Sequence, residues 1–225
     1  MADNKFNAPT QDRFELLATC PEETKPAIKK EITAIGGDSI REFYKALSFC
    51  IDLEGFYKAH LCLRTASQLY LVLKSFTVQS EAALFSQASR IKWPEIFASN
   101  MSFRVDAQCQ REAPFTAVAA SKAVRQAIQN SFTRADRSQP RTEVKEPQVT
   151  INVYVEGSKV MISIKTGGKS LHKRGYRVLG HPAPIKETLA AALLHFMDYQ
   201  GQVPFLDPMC GSGTIAIEAA SLAIQ

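Results

Sequence analysis

The residues with the clearest chemical potential lie in the last part of this 225-residue chain, in Val203-Pro-Phe-Leu-Asp-Pro-Met-Cys-Gly-Ser-Gly-Thr214. A short apolar run, Val203 to Leu206, suits a buried parallel strand and is closed by a carboxylate at Asp207. Cys210 to Gly213 form a glycine-bearing turn, and Thr214 to Ile224 has the composition of a helix. Glycine lets a backbone come close to a ligand, and a helix N-terminus presents N–H groups that have no partner inside the helix. A carboxylate at the strand end can bind a cationic or hydroxyl-bearing part of the same ligand. Gly211-Ser212-Gly213-Thr214-Ile215-Ala216 satisfies the loose G-x-G-x-x-A pattern of nucleotide-type cofactor sites. A Walker-type phosphate loop is disfavoured, because no Lys follows the second glycine. The acidic residue that dinucleotide sites place about 20 positions later falls beyond the sequence, so spacing leaves NAD and S-adenosylmethionine both open.

A second pattern is electrostatic. Net charge is +5, a mild pull toward an anionic partner, but its distribution is uneven. Between Glu156 and Glu187 there is no acidic residue, while Lys159, Lys165, Lys169, Lys173, Arg174, Arg177 and Lys186 are all basic. Such a stretch suits a phosphate backbone, and a solvated lysine-rich face accounts for it equally well. Other chemistries find no support. The five cysteines (Cys20, Cys50, Cys62, Cys109, Cys210) show no CxxC pairing and no ligand spacing with the four histidines. Reduced thiols in a cytoplasmic protein, mostly small core residues, fit better than a disulfide frame or a metal site. Cys210 reads as a small residue at a tight turn, since no partner base accompanies it. His172 and His181 read as surface or connector residues, and Trp93 with Phe97 as core or interface.

These residues need elements to hold them. Hydrophobic content of 45% is ordinary for a globular protein, and no apolar run approaches a membrane span. The N-terminus, residues 1–12, reads as a loose polar tail without the apolar core of a secretory signal. The pattern then predicts a strand over Arg13 to Cys20, and a helix over Glu22 to Ile35 stopped by Gly36-Gly37. Ile40 to Cys50 permits a strand without excluding a helix. Leu53 to Ala66 returns to helical spacing, Gln68 to Phe76 is a strand, residues 80–91 a helix and Phe103 to Cys109 a strand. Phe115 to Phe132 is a long helix with Val118, Val124, Ala127 and Ile128 inward and Lys122 and Arg125 outward. Residues 133–148 form a polar loop. Val149, Ile151, Val153 and Val155, a Gly157-Ser158 turn, then Val160, Ile162 and Ile164 make a β-hairpin with one buried face. From Thr166 a Gly-, Pro- and cation-rich connector leads to a helix over Lys186 to Phe196. The body is α+β, mixed sheets with helices on one side, and carries no catalytic set.

Three stretches resemble one family. Leu206-Asp-Pro-Met-Cys-Gly-Ser-Gly-Thr214, continuing through Ile217-Glu-Ala-Ala220, is similar to cofactor motif I of bacterial guanine-N2 RNA methyltransferases, which act on large-subunit ribosomal RNA and have tRNA-modifying relatives. Leu171-His-Lys-Arg-Gly-Tyr-Arg177 and Ala183-Pro-Ile-Lys-Glu-Thr-Leu-Ala-Ala191 resemble the same family, in the same order. Residues 54–166 resemble a THUMP domain, an RNA-binding module that follows a ferredoxin-like N-terminal region. The resemblance implies an organisation: a ferredoxin-like region over 13–53, THUMP over 54–166, a connector and helix over 167–200, and the first strand, loop and helix of a Rossmann-like methyltransferase domain over 201–225. It implies S-adenosylmethionine as cofactor, held by Asp207, Pro208, Cys210, Gly211, Ser212, Gly213 and Thr214, with Lys186, Glu187 and Thr188 beside its methionine end. It also implies structured RNA as partner, ribosomal in preference to transfer RNA, with no membrane and no metal. Lys165, Lys169, His172, Lys173, Arg174, Tyr176, Arg177, Lys122 and Arg125 are its candidate contacts. Tyr176 can stack on a base or pack between domains.

The family's catalytic (Asn/Asp)-Pro-Pro-(Phe/Tyr) turn, which orients the target amine toward the cofactor methyl, does not occur in this sequence. The chain is therefore expected to be inactive by itself, with its last ~25 residues flexible or irregularly docked. Two rivals stand beside this reading: a stand-alone THUMP RNA-binding protein, and an NAD-dependent enzyme suggested by the glycine spacing alone.

Overall fold

The computed structural model describes residues 13–110, 112–177 and 184–224. The N-terminal tail, His181 and Ala183 lie outside the described residues. In chain order the elements are β1 (Phe14–Thr19), α1 (Lys25–Ala34), β2 (Asp38–Phe43), β3 (Ala46–Ile51), α2 (Leu53–Cys62), β4 (Gln68–Thr77) and α3 (Glu81–Ala88). They continue with α4 (Trp93–Ile96), β5 (Phe103–Cys109), α5 (Ala117–Arg134), β6 (Val149–Glu156), β7 (Lys159–Thr166), α6 (Glu187–Phe196) and α7 (Thr214–Ala223). Two compact units share these elements: residues 70–165 form one, and residues 12–69 with 166–225 form the other.

The second of these units opens on β1, α1, β2, β3 and α2, which with β4, begun at Gln68, make the β-α-β-β-α-β order of a ferredoxin-like motif. Residues 40–50, open between strand and helix in the sequence, are two antiparallel strands: Phe43 pairs with Ala46 and Arg41 with Ser48 across a turn at Tyr44-Lys45. β3 is antiparallel to β1 on its other side, with Phe14 opposite Ile51 and Thr19 opposite Ala46. α1 ends where the double glycine predicts. Gly36, at φ +86°, takes the left-handed position past the helix. The Gly37 N–H then returns to the Ile32 carbonyl at 2.9 Å, and the Gly36 N–H to Thr33 at 3.1 Å. α2 starts on an Asp52 cap that accepts from the Gly55 N–H at 2.7 Å. Phe56 of this helix packs its ring 5.4 Å from Phe14, so α2 belongs with β1. The first stretch of this unit runs through Leu69.

In the other unit, β5 runs parallel to β6 and β6 antiparallel to β7, in the order β4-β7-β6-β5. α5 buries Ala120, Val124, Ala127, Ile128 and Phe132. Val118, predicted inward, is 79% exposed; it stands six residues before Val124, about 120° away around the helix. Trp93 and Phe97 are core residues, the indole N–H donating to the Ala88 carbonyl at 2.9 Å. The β6–β7 hairpin is buried on both faces: Ile151, Val153 and Ile162 on one, Asn152, Tyr154, Met161 and Ser163 on the other. The single buried face read from its alternation is corrected, because residues on both faces of β6 and β7 are buried.

Candidate cofactor turn and its supports

The turn at 207–214 follows from its residue types. An Asp207 carboxylate oxygen accepts from the Met209 N–H at 3.1 Å, and the Gly213 N–H donates to the Cys210 carbonyl at 2.7 Å. Gly211 and Gly213 take φ of +53° and +73°. A Cβ on Gly211 would meet nothing nearer than the Met209 carbonyl at 4.0 Å, and one on Gly213 nothing nearer than Ile217 Cδ1 at 3.9 Å. Backbone conformation therefore favours these glycines, while a Cβ at either would make only ordinary van der Waals contact. Pro208, Met209, Cys210, Gly211 and Ser212 are exposed. No side chain caps the first turn of α7, which begins at Gly213, and the Ser212 and Thr214 hydroxyls lie 3.2 Å apart. Accessible backbone, uncapped helical N–H groups and an adjacent carboxylate suit a ligand with polar and hydroxyl groups. Val203 to Leu206 is not a strand: no described strand pairs with it, and Val203 and Leu206 are 63% and 85% exposed. A parallel strand exists only through its neighbours, so an apolar run alone did not make one.

Support for the turn comes from behind it. α7 is regular and packs on α6, which corrects the expected irregular docking. Its one carboxylate, Glu218, is fully buried. The Tyr176 hydroxyl donates to Glu218 Oε1 at 2.8 Å, and Arg174 Nη1 and Arg64 Nε reach Oε2, the latter at 3.6 Å. Arg174 also donates to the Arg64 carbonyl. Arg177 donates to the Ile185 carbonyl at 2.9 Å and the Thr214 hydroxyl at 3.2 Å, and pairs with Glu187 at 3.4 Å. Burial, reinforced by the neighbouring Glu218 carboxylate, raises the Tyr176 hydroxyl above its ordinary pKa, and burial lowers that of Arg174. Arg174, Tyr176 and Arg177, candidate RNA contacts in the sequence, also make bonds that hold α6 and α7. The reason is the uncompensated carboxylates of Glu218 and Glu187, which would otherwise be buried charges.

Glu31 does similar work one step further back. It accepts from the Arg64 N–H and Thr65 N–H, each at 3.0 Å, and the Thr65 hydroxyl at 2.7 Å, while its other oxygen meets His195 of α6 at 2.9 Å. Arg64, Glu218, Glu31 and His195 were all missed in the sequence. The available signal was a single carboxylate on an otherwise apolar helix face, Glu31 between Ile28 and Ile32 and Glu218 within Ile-Ala-Ile-Glu-Ala-Ala.

The remaining candidates separate clearly. Lys186 is exposed at the start of α6, whereas Glu187 and Thr188 are buried, at 5% and 2% exposure. Lys169 and Lys173 are exposed, and His172 is half-buried, its pKa lowered by burial. In the other unit Lys122 and Arg125 are exposed on α5, and half-buried Lys165 has a pKa lowered by burial. Cys20 is buried, Cys50, Cys62 and Cys109 half-buried and Cys210 exposed. Among the described residues no group of His, Cys, Asp or Glu is placed to hold a metal, and no helix is long and apolar enough to cross a membrane.

Family comparisons agree with this layout. Residues 15–70 match the RlmL ferredoxin-like domain, residues 78–165 the THUMP domain, and residues 174–225 the family described as RMKL-like, methyltransferase domain. The chain carries a THUMP domain between RlmL ferredoxin-like and RMKL-like methyltransferase sequence. A ribosomal RNA large subunit methyltransferase K/L of Aliivibrio salmonicida is 34% identical over 210 residues, which are 93% of this chain and 30% of that protein. The chain thus spans less than a third of that relative's length. A crystal structure from Listeria monocytogenes, described as a predicted N6-adenine-specific DNA methylase, is 31% identical with a TM-score of 0.83, over 94% of this chain and 55% of that one. The structure of SMU.472, a putative methyltransferase complexed with SAH, is 26% identical with a TM-score of 0.80, over 95% of this chain and 56% of that one. The RMKL-like match begins at Arg174, one of the residues bonded to Glu218 of α7.

Proposed function

We propose that this chain provides the RNA-holding body and the cofactor turn of an S-adenosylmethionine-dependent guanine-N2 methyltransferase acting on large-subunit ribosomal RNA. The observation that carries the reading is the turn itself: two left-handed glycines, most of whose neighbours are exposed, ahead of an uncapped α7, inside the RMKL-like match. Asp207 and the backbone of Cys210 to Thr214 would hold the cofactor, whose bound form supplies an electrophilic methyl group. Asp207 already accepts from one turn N–H through a single oxygen, which orients the carboxylate and leaves its other oxygen to accept from a ligand hydroxyl. Glu187 acts from behind, through Arg177, Thr188 is buried beside it, and Lys186 is the member of that trio open to solvent.

Ribosomal RNA is favoured over other substrates by the curated relative's name, and RNA over DNA by the THUMP match. Guanine N2 would attack with the target base exposed or flipped from its helix. Because the sequence has no (Asn/Asp)-Pro-Pro-(Phe/Tyr) turn to orient that amine, the chain by itself is not expected to transfer methyl groups. Lys169 and Lys173 on the connector, with Lys122 and Arg125 on α5, are the exposed cations that would meet phosphate.

The test is titration calorimetry of the chain with SAH and with NAD. SAH is expected to bind and NAD not, with Asp207→Ala weakening SAH about tenfold, or about 1.4 kcal/mol. NAD binding in place of SAH, or SAH binding indifferent to Asp207→Ala, refutes the assignment. Methyl transfer to ribosomal RNA by the chain alone refutes the expected inactivity.

A further inference from the structure

Glu218 presents a problem that the cofactor turn does not by itself explain. It is fully buried on a helix that is otherwise small and apolar, and it is ringed by Arg174, Arg64 and Tyr176. Desolvating a carboxylate and two guanidinium groups costs as much as their attraction returns, so an apolar residue would stabilise α7 equally well. What such a network adds is a single allowed arrangement. Its members come from separate stretches of chain. Arg64 is in the loop after α2 and its backbone N–H is bonded to Glu31 of α1. Arg174 and Tyr176 flank Gly175, whose φ of +85° lets the connector turn sharply between them. Glu218 is one helical turn beyond Thr214, so whatever fixes the carboxylate also fixes the end of the 207–214 turn. Arg177 adds a second hold on Thr214 and ties it to the start of α6 through Glu187.

We propose that Glu218 is a positioning residue: through Arg174, Arg64 and Tyr176 it lets the ferredoxin-like domain set where the cofactor turn stands. The proposal rests on reading that turn as the S-adenosylmethionine site, and it assigns the connector's arginine and tyrosine to cofactor geometry. It follows that cofactor affinity depends on residues of the ferredoxin-like domain that never touch the cofactor.

The experiment uses the whole chain with four variants: Glu218→Gln, Tyr176→Phe, Arg174→Lys and, as a control on an exposed pair, Glu54→Gln, whose partner is Lys58 at 2.7 Å. SAH affinity, amide exchange over residues 207–217 and thermal midpoint are measured for each. Glu218→Gln and Tyr176→Phe are expected to weaken SAH about tenfold and speed exchange in the turn by a similar factor. Arg174→Lys, which keeps the charge but loses the second bond to the Arg64 carbonyl, should weaken SAH by less than Glu218→Gln, and Glu54→Gln should match wild type. A purely stabilising role would lower the midpoint and leave SAH affinity of the folded protein unchanged, and that result overturns the proposal. If wild type itself does not bind SAH, the cofactor reading fails separately. Exchange then decides: turn amides as protected in Glu218→Gln as in wild type overturn the positioning role, and faster exchange confined to the turn upholds it. Should Glu218→Gln not fold, Tyr176→Phe, which removes one hydroxyl, is judged by the same criteria.

Discussion

Replacing Glu31 by Ala tests whether the loop after α2 is held by one carboxylate. Three donors converge on Glu31 Oε2: the backbone N–H groups of Arg64 and Thr65 and the Thr65 hydroxyl. Glu31 is 7% exposed and Thr65 fully buried, so water replaces the lost acceptor poorly. A buried donor left unsatisfied costs about 1–3 kcal/mol. The hydroxyl can turn to another acceptor, which leaves two backbone donors and about 2–6 kcal/mol. The relief of no longer desolvating a carboxylate trims that range, and about 4 kcal/mol is the working figure. Domains of this size lose roughly 2–4 °C per kcal/mol, so the midpoint should fall by about 8–16 °C. Glu31→Gln keeps one carbonyl oxygen for the backbone donors and should cost about half as much. The chain's one tryptophan, Trp93, lies in the other unit. Loss should therefore be followed by amide exchange at β1 and β3 across a urea series. A change below about 1 kcal/mol for Glu31→Ala, or equal losses for Ala and Gln, would refute the reasoning.

Other outcomes are expected from the same physical grounds. A Cβ at Gly201, at φ +79°, would stand 2.4 Å from Ala223 Cα; Gly201→Ala should cost about 2–4 kcal/mol in thermal melting, against about 1 kcal/mol for Gly157→Ala, where nothing lies within 4 Å. Equal losses would show that the contact with α7 carries no weight. Burial pushes the Cys20 thiol up to about 11. The folded form keeps its proton where the unfolded thiol has lost it, so the stability linked to Cys20 is complete below about pH 9 and fades as pH rises toward 11. Urea midpoints across that window should fall less steeply in Cys20→Ala, and an unchanged slope would assign the loss to other groups. Lys169→Ala with Lys173→Ala should flatten the salt dependence of ribosomal RNA binding by about 1.5 in the log–log slope, if each neutralises one phosphate. An unchanged slope would remove the connector from the RNA path.

Much of the fold was legible because its signals are local. Gly36-Gly37 specifies a left-handed exit that no other residue type takes so readily, and α1 stops there. Period-two alternation from Val149 and again from Val160 gives the β6–β7 hairpin. What the alternation could not disclose is what covers its second face, since burial of Asn152 and Ser163 depends on neighbours elsewhere in the chain. Val118 misled for a related reason: apolarity was taken for direction, while its angle around α5 placed it outward. Residues 203–206 are the same lesson in a strand, since their composition suits a parallel sheet and no described strand pairs with them.

The site divides along the same line. The turn at Asp207, Gly211 and Gly213 was legible as a turn, because those types at that spacing favour one, and φ is positive at both glycines. The connector cations could not be sorted, because Lys173 and Arg174 are adjacent and equally basic. Only the buried partner distinguishes them: Glu218 lies 44 residues from Arg174, and Lys173 remains exposed. A basic run is therefore two populations, one facing inward to neutralise carboxylates and one facing outward with charge to offer. Two of the run's guanidinium groups, Arg174 and Arg177, are inward, and Lys169 and Lys173 are outward. That division has a physical logic. A guanidinium can satisfy a carboxylate, a carbonyl and a hydroxyl at once, as Arg177 does, whereas an ammonium is more strongly hydrated and stays at the surface. The cations best suited to grip phosphate bidentately thus brace α6 and α7, and if this connector meets RNA, Lys169 and Lys173 offer it point charges, with affinity that falls with salt and little dependence on base sequence.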